Sequence, residues 1–267
     1  MTDVNCSQGL LAADRGVSEV VGFVLVFALI TSTIAVTFTV GLGGLEDAQL
    51  AERDNNVERA FDVLHDNLND ISRDGVPSRA TEVRLAGGSI ELSDPVRLRA
   101  TVDGTESSVL SLPSRPIEYS GAGNTKVVYE NGAVFRSDGS NAVMVNEPDL
   151  LVGETTVFSI VDVRAASGTS RLAGGDRTVL LVSERHNREM IVADGENVTL
   201  THEASPRADA WEQYYEDLSA EYPDRIAVGC DEDAASVECD EDTVSVTITV
   251  DERVIIHTTE IRTTLGD

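Results

Sequence analysis

Val20 to Leu45 reads VVGFVLVFALITSTIAVTFTVGLGGL and contains no charged side chain. Its 26 residues rise roughly 39 Å as an α-helix, more than the roughly 30 Å hydrocarbon core of a bilayer. A secretory signal has an apolar core of about 7–15 residues followed by a small-x-small cleavage site. This run is longer and passes directly into polar sequence, so it is expected to stay attached as an anchor.

On its N-terminal side Arg15 is the only cation, opposed by Asp3 and Asp14, and on the other side some 220 polar residues follow. A lone basic residue at the entry predicts a single pass through the cell membrane, with the N-terminus inside and the bulk of the chain outside. Further on, Val57, Phe61, Leu64, Leu68 and Ile71 recur at helical spacing while Asp54, Glu58, Asp62, Asp66 and Asn69 fill the other faces. That pattern predicts an amphipathic helix stopped by Asp74-Gly75 and Pro77. Gly41, Gly43 and Gly44 are expected to bend or unwind the helix where the two halves join.

The whole chain has 267 residues and a net charge of −27, from 20 Lys+Arg against 47 Asp+Glu. So acidic a chain lacks the cations to hold a nucleic-acid backbone, and nucleic acid is excluded as a partner. Lys126 is the only lysine. A lysine-poor, carboxylate-rich surface keeps a protein soluble in molar salt, where the Debye length is about 3 Å, and predicts an extreme halophile.

From Thr81 onward the pattern becomes short runs of alternating or β-branched residues. Strands are predicted at 82–85, 90–92, 96–102, 117–119, 125–129, 133–136, 156–164, 178–183, 190–193, 198–201, 243–250 and 253–263. Asn131-Gly132 predicts a two-residue hairpin turn, and the ERHNRE segment around His186 a charged hairpin tip. RLAGG occurs at Arg84–Gly88 and again at Arg171–Gly175, reading as two similar hairpins. One helix interrupts the strands: Ser205 is the expected N-cap, Pro206 the first helical residue, and Trp211, Tyr214, Tyr215 and Leu218 an aromatic stripe that packs on the sheet.

The block DRGVSEVVGFVLVFALI, Asp14 to Ile30, resembles the class III signal peptide of archaeal type IV pilins and pilin-like proteins. The resemblance implies that Arg15-Gly16 is the recognition pair of a prepilin peptidase, that the cut falls before Val17, and that the apolar helix becomes a filament core. Haloarchaeal members commonly carry Pro where this chain has Glu19. In bacterial pilins the fifth mature residue is a Glu that compensates a neighbour's N-terminal ammonium, whereas Glu19 would be third. VVYENGAVFRSDGSNAVMVNEPDL, Val127 to Leu150, looks like a segment recurrent in uncharacterised haloarchaeal pilin-like surface proteins.

Chemistry-bearing motifs are few. Cys230 and Cys239 are expected to form a disulfide in an oxidising exterior, closing a small loop. Cys6 falls in the leader. The carboxylates from Asp231 to Asp242 do not match a calcium-loop spacing and read as a solvated acidic loop. Asn197-Val198-Thr199 is a glycosylation acceptor. His65, His186, His202 and His257 stand beside no nucleophile or zinc motif, so no metal, no cofactor and no enzymatic activity are expected.

The expected fold class is α+β: a long N-terminal transmembrane and amphipathic helix followed by a mostly antiparallel, β-sandwich-like extracellular domain. The segments are a leader at 1–16, a transmembrane or filament-core helix at 17–45, an amphipathic stalk at 46–74 and the β-rich domain at 78–267. The implied function is a type IV pilin-like surface subunit whose partners are the membrane, the prepilin peptidase and other pilin-like subunits. Close helix packing is expected at Gly22, Ala28, Ser32 and Ala35. The alternative is a monomeric, single-pass extracellular binding module.

Overall fold

The structure is a computed structural model and describes residues 10–102, 109–121, 124–139, 141–166, 168, 170–194, 197–229 and 242–266, with side chains omitted for 10–18, 46, 47 and 109. The chain divides into two compact units, Met1–Glu52 and Arg53–Asp267. Helix α1 (Leu10–Ser72) supplies the described residues of the first unit and opens the second. Gly41, Gly43 and Gly44 stay α-helical, so the expected unwinding does not occur. The helix stops where predicted: Arg73 N donates to Asn69 O at 2.7 Å, and Gly75 takes the left-handed φ of 73° that a C-terminal stop favours.

The second unit then runs through β1 (Ser78–Arg84), β2 (Ser89–Leu92), β3 (Val96–Val102), β4 (Val109–Ser114), β5 (Ile117–Ser120), β6 (Thr125–Glu130), β7 (Ala133–Asp138), β8 (Asn141–Asn146) and β9 (Leu150–Leu151). It continues with β10 (Thr155–Ala165), β11 (Arg171–Ala173), β12 (Thr178–Asp194), β13 (Val198–Glu203), α2 (Ala208–Glu221), β14 (Ile226–Val228), β15 (Val244–Ile248) and β16 (Arg253–Gly266). Three sheets form, in the orders β1-β12-β16-β10-β9, β11-β2-β5-β6-β7-β8 and β14-β15-β13-β3-β4. Among the described strands every pairing is antiparallel except β10 with β16, which run parallel from Thr155 opposite Arg253 to Ala165 opposite Thr263. The coarse expectation, a long apolar N-terminal helix followed by a mostly antiparallel β domain, is what the chain adopts.

Two cores hold the unit together. In the first, Val57, Phe61, Leu64, Leu68 and Ile71 of α1 meet Val83, Ile90, Ile117, Tyr129, Val163, Leu181, Ile261 and Leu265. Burying each large apolar side chain contributes about 1.5–3 kcal/mol. The helical stripe legible in the sequence is thus the lid of a β core. In the second core Trp211 and Tyr215 of α2 pack on Phe135, Phe158, Leu200, Val246 and Ile256. β10 serves both because alternate residues face opposite ways: Val161 and Val163 enter the first core, Phe158 and Ile160 the second.

The ERHNRE segment is not a hairpin tip. β12 passes through it unbroken, with a register shift against β16 between Arg185 and Asn187 that leaves His186 as an extra residue. The segment contains no Gly or Pro to turn the chain, and β16 offers a partner along its length. The extra residue reverses which face later side chains point to. Before it, Val179 and Leu181 enter the first core; after it, Ile191 and Ala193, also odd-numbered, pack on the second.

The two RLAGG copies bond to each other. Gly87 N donates to Gly175 O and Gly174 N to Gly88 O, both at 3.0 Å, reciprocal contacts related by a shift of the motif onto its second copy. Each copy is a corner: the first leads from β1 into β2, the second from β11 into β12, and β1 pairs with β12 as β2 pairs with β11. Two similar turns therefore act as one mutually paired corner between sheets.

Asn131-Gly132 forms the predicted turn between β6 and β7, with φ of 48° and 98° as a type I′ hairpin requires. The start of α2 differs from expectation. Ser205 O accepts from Ala208 N at 3.0 Å and Ser205 Oγ from Arg207 N at 3.2 Å, so a turn occupies 205–207 and the helix begins at Ala208, with Arg207 at the N-cap position. The Ser205 hydroxyl also donates its proton to Glu130 Oε1 at 2.8 Å, tying this turn to the end of β6.

Candidate functional site

Every side chain described from Glu19 to Leu45 is exposed, including Phe23 at 71% and Val40 at 70%. The stretch is apolar all round, and by length and composition this helix is able to cross a membrane. Four of its hydroxyls turn back onto the helix. Thr31 Oγ1 donates to Phe27 O at 2.8 Å, Ser32 Oγ to Leu29 O at 2.9 Å, Thr33 Oγ1 to Leu29 O at 2.8 Å and Thr39 Oγ1 to Ala35 O at 2.9 Å. A hydroxyl satisfied this way carries no donor that demands water.

At about 100° per residue, Ala28, Ser32 and Ala35 fall within one narrow stripe, which Thr39 extends. Gly22 lies roughly 120° away from it and belongs to another face. Thr39 joins the stripe because its hydroxyl folds back on the backbone. Arg15, Gly16 and Val17 fall within the bounds of α1, and their side chains lie outside the described set. Glu19 is exposed.

In the second unit, Asn197 is exposed directly before β13, and the Thr199 hydroxyl lies 3.0 Å from that of Thr247. Cys230 and Cys239, with the acidic run from Asp231 to Glu241, lie outside the described residues. Among the described residues no group of three or more His, Cys, Asp or Glu side chains is placed to hold a metal ion.

A buried polar cluster that sequence reasoning missed joins β6 to the start of α2. Glu130 is wholly buried at the last position of β6. Its Oε1 accepts from Ser205 Oγ at 2.8 Å and Trp211 Nε1 at 2.9 Å, and its Oε2 from Arg207 Nε at 2.6 Å. Both carboxylate oxygens are engaged by donors at and just before α2, so the group pins the start of that helix. His202 stacks on Trp211 with centroids 4.0 Å apart, and its Nε2 lies 2.8 Å from the Tyr215 hydroxyl. Burial holds its imidazole down to about 4, with the nearby Glu130 charge opposing. A cavity of about 30 Å³ beside it is lined by Asn131, Ser159, His202, Trp211 and Tyr215 among others, room for a single water. The only sequence signal was a charged residue beside a hairpin turn, and nothing in its neighbourhood names an arginine 77 positions away.

The other histidines are dispersed. His65 Nε2 contacts Gly132 O at 2.9 Å, His186 is the bulged residue, and burial lowers the pKa of His257 on β16.

Comparison with known proteins gives a profile match to a family of unknown function, DUF7289, over residues 15–264. An uncharacterized protein of the archaeon Archaeoglobus fulgidus is 30% identical over 101 residues, 37% of this chain and 33% of the relative. The chain thus aligns with about a third of that relative's length. No solved structure matches.

Proposed function

We propose that this chain, which belongs to the DUF7289 family of unknown function, is a pilin-like cell-surface subunit of a halophilic archaeon. In this reading a prepilin peptidase recognises Arg15-Gly16 and cuts before Val17. The apolar helix then anchors the protein in the cell membrane, N-terminus inside, and holds a sandwich-like β head outside. On assembly the helix leaves lipid and packs among those of other subunits.

One observation carries the reading. A charge-free helical stretch from Val20 to Leu45, exposed on all sides and with its described serine and several threonine hydroxyls folded onto its own backbone, follows the Arg15-Gly16 pair after Val17, Ser18 and Glu19. Such a surface is stable only in lipid or against other helices. The Ala28, Ser32, Ala35 and Thr39 stripe offers close approach to a neighbour, where van der Waals packing replaces lipid contacts. An archaeal relative is in keeping with the source.

The test is the mature N-terminus. Mass spectrometry of the protein from native membranes and shed surface fibres is expected to begin at Val17, and Gly16→Val is expected to leave the leader attached. A chain retaining Met1, with unchanged mobility of the variant, would replace the subunit reading by the permanently anchored monomeric binding module.

A further inference from the structure

β12 has one bare edge. β1 covers it only from Thr178 to Glu184, and Pro77 O takes the Arg185 amide at 2.9 Å, where the cover ends. On its other side β16 continues to the pair of Asp194 with Arg253. Among the described residues no strand pairs with the opposite edge from Asn187 to Asp194, roughly 26 Å of backbone at 3.3 Å per residue. Proteins usually blunt such an edge with prolines, central charges or a covering element. Here the middle of the edge is apolar: Met190 is 60% and Val192 48% exposed, and both share a face with exposed Arg188 and Asp194.

We propose that this edge pairs antiparallel with the same edge of a second copy of this chain, Ile191 lying opposite the partner's Ile191. The argument is the self-complementarity of the run. In this register Arg188 faces the partner's Asp194 and Met190 faces the partner's Val192, and the dyad makes each contact twice. Centring the pair on Met190 would set Arg188 against the partner's Val192; centring it on Val192 would set Asp194 against the partner's Met190. Neither alternative matches both charge and hydrophobicity. Pairing from 188 to 194 closes roughly six to eight backbone hydrogen bonds. Asp194 already receives Arg253 Nε at 2.8 Å and has a second oxygen for the incoming guanidinium. A net charge of −27 opposes the approach of two copies at low ionic strength, while molar salt screens that long-range repulsion and leaves the short contacts in place. The contact lies wholly in the second unit and does not depend on what surrounds the apolar helix.

The test uses the full-length chain in detergent at molar salt, with the wild type setting the background from its own cysteines. Chains carrying Met190→Cys are mixed with chains carrying Val192→Cys and mildly oxidised. The mixture is expected to give several-fold more disulfide-linked dimer than either variant alone, because 190 faces 192 and not itself. Adding Arg188→Asp to both chains is expected to lower that yield, and Arg188→Asp in one with Asp194→Arg in the other to restore it. Equal yields from the mixture and the separate variants, as association through the apolar helix alone would give, would overturn the proposal. So would a mixed yield indifferent to Arg188→Asp.

Discussion

Arg207 sets its guanidinium on the Glu130 carboxylate with Nη2 2.5 Å from Oε2, and the side chains are 9% and 0% exposed. This ion pair ties the end of β6 to the start of α2, elements 77 residues apart in the chain. Removing one partner strands the other charge in a water-poor site.

Arg207→Leu is therefore expected to lower unfolding stability by about 3–5 kcal/mol. The double variant Arg207→Leu with Glu130→Leu should lose less than the sum of the two single losses, because neither charge is then left unpaired. Urea unfolding of the four proteins checks this, and strict additivity would refute it.

The depressed His202 pKa makes stability depend on pH. Between its ordinary value near 6.5 and its folded value of about 4, the unfolded chain binds a proton that the folded chain refuses, so stability rises with pH across that window. At about 1.4 kcal/mol per pH unit the window is worth about 3 kcal/mol. The contribution is complete above pH 6.5 and loses nothing further below pH 4. In melts across this range, the stability of the wild type relative to His202→Gln is expected to fall by about 3 kcal/mol from the upper end to the acid end, and a difference that stays constant with pH would refute it.

The paired corner predicts unequal costs at two corresponding glycines. A Cβ on Gly88 would stand 2.5 Å from Ser120 O and 2.6 Å from the Tyr119 hydroxyl, whereas one on Gly175 meets open space and only the strain of φ 78°. Gly88→Ala is expected to cost about 2–4 kcal/mol, and Gly175→Ala about 1–2 kcal/mol. Equal melting temperatures for the two variants would count against the corner geometry.

For the apolar helix, Ala35→Leu fills the small-residue stripe without adding polarity. The membrane-bound amount is expected to stay at the wild-type level while surface fibres, counted by electron microscopy, fall several-fold. Undiminished fibres would remove the stripe from the assembly contact.

The acidic surface predicts a dependence on salt. Going from about 1 M to about 0.1 M lengthens the Debye length from about 3 to about 10 Å, and the melting temperature of the chain is expected to fall as carboxylate repulsion grows. A melting temperature indifferent to potassium chloride would argue against a halophile surface.

The apolar run, the amphipathic stripe from Val57 to Ile71, the turn at Asn131-Gly132 and the bounds of β3 were all legible in the sequence. Each is a local matter: a periodicity, a solvent preference or the φ that one residue tolerates is set by residues a few positions apart. Even so, β8 and β4 escaped notice. NAVMVN reads as a polar-flanked stretch until β7 supplies its partner, and the Pro113 that argues against a strand is tolerated in β4 because that strand lies at a sheet edge.

Only the tertiary structure decided that β10 and β16 run parallel, that β12 continues through ERHNRE, that the two RLAGG corners bond to each other and that Glu130 meets Arg207. In each of these a backbone or charged group chooses between partners distant in sequence, and the choice follows from which strands the cores bring together. The sequence by itself determined that an apolar helix precedes an acidic β domain, because solvation acts on each residue where it stands. Which edge of that domain is left bare depended on where β1 ends beside β12, and the length of pairing between distant strands leaves no local trace.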